Sequence, residues 1–491
     1  MVLAMGLFSL YFSWFSIRKA AVFDWYSSDL GNMWQTVWNV GHGHGFTFTS
    51  TGLGQNVSRL AVHADYLLIL LAPLSWITRS ASSLLIVQAA VVAAGGWFVY
   101  RLAWLVVRQR PFAVLAGLAY LTYGPLQLAV VWQFHAVTLA STFILASAEA
   151  IIAGRRSGIF WLWFGLALIS KEQIGLLIGP ASFLLWWLRR SPSVAWASLL
   201  VGISYSLVHF WWVIPTFQPA GAKGLLMNYY FGTLGHSPVA QLSSLLNPSI
   251  LMARLWRPAM LTTTALLLVP LAALPVFSRW IWLAVVALLP HWLSSVAEAR
   301  SVEFHNHVLA IPFLFLGLVF GWRWWQQRLR RRPVGRTALA AALAAMTIFG
   351  SVLVSPNPWS LYFKPHSLDD DPKLTSFAQL VEGLPTAAVV SYSLGIGQYV
   401  RSRQTAYLLP DGLTSSDYAV LYWPAEPRPA DPPMVNQQQN LLVWQDYFAR
   451  SAAFVAVARH ERGTVFQRLR HRQPEPLPPI FADYLNGPRT I

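Results

Sequence analysis

Apolar runs of bilayer length recur along this chain almost to residue 355, and no other feature constrains the fold as much. A helix needs about 20 predominantly apolar residues to cross the hydrocarbon core. In lipid, only helices and closed barrels satisfy every backbone polar group. The runs lie at 2–17, 82–104, 111–131, 135–153, 158–170, 173–188, 194–214, 258–277, 280–297, 307–322 and 337–354. They predict eleven transmembrane helices. The segment 62–77 is apolar but short, and it carries His63, Asp65 and Pro73. It reads as a re-entrant or interfacial helix, and the topology turns on that reading. Val2–Ile17 lacks a basic n-region and a small-residue cleavage site, so it reads as a first anchor.

Only 11% of the residues are charged, against about a quarter in soluble domains. With no cysteine, neither disulfides nor thiolate metal sites are available. A net charge of +16 would suit nucleic acid, but its placement excludes that partner. Arg101, Arg108, Arg110, Arg155, Arg156, Arg189, Arg190 and Arg279, and the block Arg323–Arg336, fill alternate gaps between apolar runs. This is the positive-inside pattern of a multi-pass plasma (inner) membrane protein with a cytoplasmic N-terminus; Arg18 and Lys19 run against it. The membrane part is 1–355, with a first outer loop at 18–81. From Pro356 the acids and prolines increase. "TAAVVSYS" and "SDYAVLYW" read as buried strands, "GIGQYVRSR" as a short helix, and the stretch around Glu461-Arg462-Gly463 as a hairpin. The tail, 356–491, is therefore a small α/β domain, extracytoplasmic under this topology.

The membrane part holds seven carboxylates: Asp24, Asp29, Asp65, Glu149, Glu172, Glu298 and Glu303. All but Glu149 fall at the outer ends of spans or in outer loops, where His63, His135, Lys171, Arg300, His305 and His307 also gather. A charge deep in a bilayer costs about 3 kcal/mol even on a lenient scale, so groups kept there face a cavity or one another. Asp29 opens a short helix on which Asn32, Thr36 and Asn39 share its face, while Trp34 and Trp38 stack on another. That pattern describes an interfacial helix with an aromatic anchor; Asp29 alone would also serve to complement the helix N-terminus. Lys171 and Glu172 interrupt an apolar run of about 30 residues. His305 and His307 are two apart, a poor spacing for metal ligands on a helix. A divalent cation (Mg or Mn) is compatible with these acids, but no spacing requires one. Carboxylates suit proton abstraction from an acceptor, and the cations suit a phosphate leaving group.

"SDLGNMWQTVWNVGHGHGF", "HADYLLILLAPL", "WQFHAVTLA", "SKEQIGLL" and "EFHNHVLAIPFLF" follow one another in this chain. In that order they resemble domain of unknown function family 2079, a group of multi-pass membrane proteins similar to the C-class glycosyltransferase superfamily (GT-C fold). The resemblance covers roughly residues 20–320. It implies an all-α polytopic membrane bundle that uses polyprenyl-phosphate-linked sugars. It also implies an acidic general base in the first outer loop, which falls on Asp29, with Asp24 as the nearby competitor. Where the family pattern carries acid–histidine, Phe-His-Pro and Lys-Glu-Asp stretches, this chain has His63-Ala64-Asp65, Phe134-His135-Ala136 and Lys171-Glu172-Gln173.

The expectation is an inverting membrane glycosyltransferase. It would move a sugar from a polyprenyl phosphate to a glycan, lipid or protein acceptor at the outer face. Asp29, Asp24 and Glu172 are its candidate catalytic acids. Lys171, His135 and Arg300 are candidate phosphate contacts, and His63, Asp65, His305 and His307 complete the substrate-binding set. The loop 217–257 would close over the site. A transporter of lipid-linked saccharide would need polar groups through the membrane depth. A silent assembly protein would need none of these groups.

Overall fold

The computed structural model describes residues 1–21, 29–50, 54–220, 224–235, 237–369, 371–393, 395–423, 437–469 and 474–478. Its larger part is a helical bundle. α1 (Val2–Ala21) leads to α2 (Asp29–Gly41), a hairpin of β1 (Thr47–Ser50) and β2 (Gln55–Ser58), and the single turns α3 (Leu67–Leu70) and α4 (Leu74–Ile77). Then come α5 (Ser82–Val107), α6 (Arg110–Leu121), α7 (Gly124–Val131), α8 (Ala136–Ile152), α9 (Ser157–Leu168), α10 (Gly175–Leu188) and α11 (Pro192–Val208). A loop region with α12 (Ile214–Phe217), α13 (Leu225–Phe231), α14 (Pro238–Leu245) and α15 (Pro248–Leu255) precedes α16 (Pro258–Leu268), α17 (Ile281–Leu293), α18 (Ile311–Arg328) and α19 (Pro333–Leu353).

Each apolar run thus contains helix. Among the described residues, five segments are long and apolar enough to cross a membrane: Ser82–Val107, Arg110–Val131, Pro192–Phe217, Glu298–Arg328 and Pro333–Leu353. Proline stands in the first two positions of α6, α7, α11, α16, α18 and α19. Its missing N–H is no loss there, because the first helical N–H groups have no intrahelical acceptor. The α10–α11 pair closes through glycine: a Cβ on Gly202 would lie 2.9 Å from the Gly179 Cα. Such small residues let helices approach where lipid supplies no hydrophobic drive. At one end of the bundle Glu149 is clamped between Arg101, at 3.1 Å, and Arg155, at 2.9 Å. Asp29, Asp65 and Glu172 make their contacts with other residues.

The tail forms a five-stranded sheet in the order β4 (Ala406–Leu408), β3 (Val390–Tyr392), β5 (Tyr418–Tyr422), β7 (Gly463–Arg468), β6 (Phe454–His460). β3 is parallel to β4 and β5, and α21 (Gly397–Val400) forms the crossover between β3 and β4. β5, β7 and β6 are antiparallel. α20 (Pro372–Glu382) and α22 (Gln437–Arg450) cover the sheet through Phe377, Val381, Trp444 and Phe448.

α2 departs from the expectation of an interfacial helix. Trp34, Gln35, Thr36 and Asn39 are all wholly buried. Gln35 donates to the Arg403 and Gln404 carbonyls at 3.2 and 3.0 Å, and the Trp34 indole donates to Ser402 Oγ at 2.8 Å. Arg401, itself fully buried, donates to Gln35 at 3.0 Å and to Asn32. The polar stripe of α2 is therefore the seam between bundle and tail domain, not a face turned to headgroups. A Cβ on Gly31 would sit 3.1 Å from the Gly397 carbonyl carbon and 2.8 Å from the Arg401 Cδ. Glycine at this position is what lets α2 and α21 meet.

Candidate functional site

A cavity of about 170 Å³ opens where the bundle meets α2 and the β1–β2 hairpin. Asp29, Arg59, His63, Asp65, His135, Lys171 and His305 line it, with Tyr229 and Tyr230 from α13. Six of these nine belong to the set expected from sequence. Asp24 lies outside the described residues. Glu172 stands behind the cavity wall, and Arg300 and His307 are not on it.

Breaks in the helices bring these groups together. The long apolar run around Lys171 is two helices: α9 ends at Leu168, Lys171 is extended, and α10 starts at Gly175. The joint between α7 and α8 delivers His135, and the turn before α18 delivers His305. In each case a helix end carries the polar group, because a helix interior would aim it into lipid or core.

Asp29 opens the first turn of α2, where the helix dipole favours a carboxylate. Its Oδ2 lies 3.3 Å from the His135 Nε2. The Asp29 side chain is 39% exposed and that of His135 only 6%. The His305 ring stacks on His135 with centroids 3.5 Å apart. Imidazole N–H is the only donor available to that carboxylate contact, so His135 Nε2 donates and Asp29 accepts.

Two further acids are committed elsewhere. Asp65 takes a two-pronged bond from Arg59, Nε to Oδ1 at 2.9 Å and Nη2 to Oδ2 at 2.7 Å, with both side chains 4% exposed. Burial works against the Arg59 charge, and Asp65 more than offsets this, so the guanidinium is held above its ordinary pKa. Glu172 accepts from His63 Nδ1 at 3.0 Å and from the Ala64 N–H at 3.0 Å. It therefore fixes the His63 loop and does not face the cavity. Burial and then Lys171 push His63 below the usual imidazole range, against the opposing pull of Glu172. Lys171 lines the cavity and makes no ion pair among the described residues.

Arg300 donates to the Ser294 carbonyl at 2.6 Å, and Arg254 to that of Leu293. Both carbonyls stand at the C-terminus of α17, where orphan acceptors and the dipole attract cations. That role draws Arg300 away from the cavity. His307 is buried and bonded through Nε2 to the Pro125 carbonyl at 2.8 Å, a tie between α7 and the turn before α18. Among the described residues, no group of three or more histidines and carboxylates converges as metal ligands do.

Arg59, Tyr229 and Tyr230 are not singled out by the sequence, although the two tyrosines belong to the 217–257 loop expected to close over the site. Arg59 looked like an ordinary loop cation, and only its arrival against Asp65 distinguishes it. Burial pushes the Tyr229 phenol up, with Glu298 and Asp29 adding to the effect, and it pushes Tyr230 up further. The aromatic pair in "LMNYYFG" was the available signal.

No curated protein matches this chain. The chain is similar to ArnT from Cupriavidus metallidurans bound to undecaprenyl phosphate, at 11% identity over 95% of this chain and 98% of that one, with a TM-score of 0.47. The apo form of the same protein aligns at 13% identity over 91% and 94%, TM-score 0.46. An Archaeoglobus fulgidus oligosaccharyltransferase tethered to an acceptor peptide aligns at 11% identity over 94% of this chain and 73% of that one, TM-score 0.47. The model of the predicted membrane protein family DUF2079 matches residues 26–391, and the chain belongs to that family.

Proposed function

We propose that this protein is an integral membrane glycosyltransferase of the C-class, moving a sugar from a polyprenyl phosphate to an acceptor hydroxyl or amine. The observation that carries the reading is the composition of one cavity: a half-open carboxylate backed by a buried imidazole, with a lysine that has no ion-pair partner among the described residues on the same wall. The acids of the bundle favour an enzyme over a transporter, since Asp29, Asp65 and Glu172 cluster around the cavity while Glu149 is neutralised by two arginines elsewhere.

In this mechanism the Asp29 carboxylate takes the proton of the acceptor as the acceptor atom bonds to the anomeric carbon. The bond from that carbon to the phosphate oxygen breaks on the opposite face, so the configuration inverts. Polyprenyl phosphate leaves with the electron pair, and the Lys171 ammonium meets its charge. His135 holds Asp29 and His305 packs His135. Glu172 and Asp65 position His63 and Arg59. The outer-face orientation and the extracytoplasmic tail belong to this proposal, as do the eleven spans.

The test is transfer from a panel of polyprenyl-phosphate pentoses and hexoses by the purified protein in liposomes. Asp29→Asn is expected to lower turnover by about 10²–10⁴-fold while retention of radiolabelled polyprenyl phosphate is unchanged. Full turnover by Asp29→Asn, or transbilayer movement of the donor without transfer, overturns the reading.

A further inference from the structure

Gln133 sits at the joint between α7 and α8 with φ at +94°. That is left-handed backbone, uncommon for a residue with a side chain, and it persists only where the surroundings over-determine it. The surroundings here are a second glutamine and the first turn of α2. The Gln133 Oε1 accepts from the Leu30 N–H at 2.8 Å, the residue next to Asp29. Its carbonyl accepts from Gln88 Nε2 at 2.7 Å, which also donates to the Val130 carbonyl at 2.8 Å. The other end of the same amide, Gln88 Oε1, accepts from the His135 N–H at 2.9 Å. Both glutamines are wholly buried.

The amide orientations follow from these partners. Gln133 must present oxygen to Leu30, since its NH₂ would face another N–H. Gln88 must present oxygen to His135 and nitrogen to the two carbonyls. Of the four side-chain amide atoms of these two glutamines, the Gln133 Nε2 alone has no partner among the described residues. The left-handed turn aims the Gln133 carbonyl at Gln88 while its side chain reaches α2. One continuous chain of bonds therefore runs from Leu30 through Gln133 and Gln88 to His135. It joins the two segments whose side chains meet at 3.3 Å in the cavity.

We propose that Gln133 and Gln88 are positioning residues, which set the separation of Asp29 and His135 and act on the reaction only through them. This rests on the reading of Asp29 as the base. A mere packing role would not need two polar side chains in the core, nor a strained backbone at the point that links them. Apolar side chains here would leave the Leu30 and His135 N–H groups and the Val130 and Gln133 carbonyls without the partners that the two amides supply.

The test compares Gln133→Asn and Gln88→Leu with the full-length protein. Asparagine tolerates positive φ and keeps an amide, but it is one methylene short of Leu30. For Gln133→Asn, hydrogen exchange of peptides covering 29–34 is expected to quicken at Leu30 by about tenfold or more. Peptides from α5 and α18 should be unchanged, and kcat should fall by roughly 10–10²-fold, as small misplacements of reacting groups do. KM for the polyprenyl-phosphate donor is expected to stay within about threefold, and the melting temperature within a few degrees. Gln88→Leu is expected to give the same split between kcat and KM. Should Leu30 exchange faster while kcat holds, or kcat and KM deteriorate together with thermal stability, the positioning role fails. Normal turnover by Asp29→Asn would instead overturn the base assignment, and with it this proposal, whatever the exchange shows.

Discussion

Asp29 and His135 are 106 residues apart in the chain, yet their side chains meet at 3.3 Å on the wall of one cavity. The pair is asymmetric: the imidazole is buried and stacked on His305, and the carboxylate is open. An anchored donor and an accessible acceptor are what a proton-accepting carboxylate requires. His135→Ala removes the anchor but leaves the base, so turnover should fall by about 10²-fold, less than for Asp29→Asn. Steady-state kinetics on both variants, with donor retention measured alongside, gives the comparison.

Lys171 is expected to hold the phosphate end of the donor by charge. Lys171→Met should weaken retention of polyprenyl phosphate by about tenfold, as the loss of one charge-assisted contact does. It should also flatten the dependence of binding on salt. Equal affinity of the variant and the native protein at low ionic strength would remove Lys171 from the phosphate site.

The Arg59–Asp65 pair is a stability element. Removing one partner leaves a buried charge alone, so Asp65→Ala should cost about 3–5 kcal/mol. Replacing both at once, Arg59→Met with Asp65→Leu, should recover most of that loss. Unfolding in detergent supplies the double-mutant cycle, and additive costs would show that the pair is not coupled.

His63 makes stability depend on pH. Its folded pKa lies below the unfolded value of about 6.5, because burial and then Lys171 disfavour the imidazolium. The unfolded chain therefore binds the proton more readily. The stability is fully present above about pH 6.5 and is lost as the pH falls toward the folded pKa. Melting temperatures taken from about pH 7.5 down to about pH 5.5, roughly one unit either side of the ordinary imidazole pKa, should decline in the native protein. They should decline less in His63→Gln.

Gly31 governs docking of the tail domain. A Cβ there meets backbone of α21 at 3.1–3.2 Å and the Arg401 side chain at 2.8 Å. The backbone atoms cannot swing aside, so Gly31→Ala should destabilise the seam by about 1–3 kcal/mol. Limited proteolysis between bundle and tail should then proceed faster than in the native protein. Unchanged cleavage would mean that the seam can shift to accept the methyl group.

The sequence by itself determined the helical bundle, because runs of about 20 apolar residues have few alternatives in lipid. It also singled out Asp29, His63, Asp65, His135, Lys171 and His305, since charges and imidazoles at the ends of such runs are too costly to keep idle. It gave β5 and the β6–β7 hairpin away through continuous apolar and turn patterns. Only the tertiary structure decided which of these groups face the cavity. Arg59 claims Asp65, His63 claims Glu172 and the end of α17 claims Arg300, and such pairings depend on distances between residues far apart in the chain. The same holds for α2. Its stripe of Asn32, Thr36 and Asn39 fits an interfacial helix by periodicity alone, because periodicity reports that a face is polar but not what covers it. Residues 401–406 cover it here, and a chain segment more than 360 residues away leaves no trace in a local pattern.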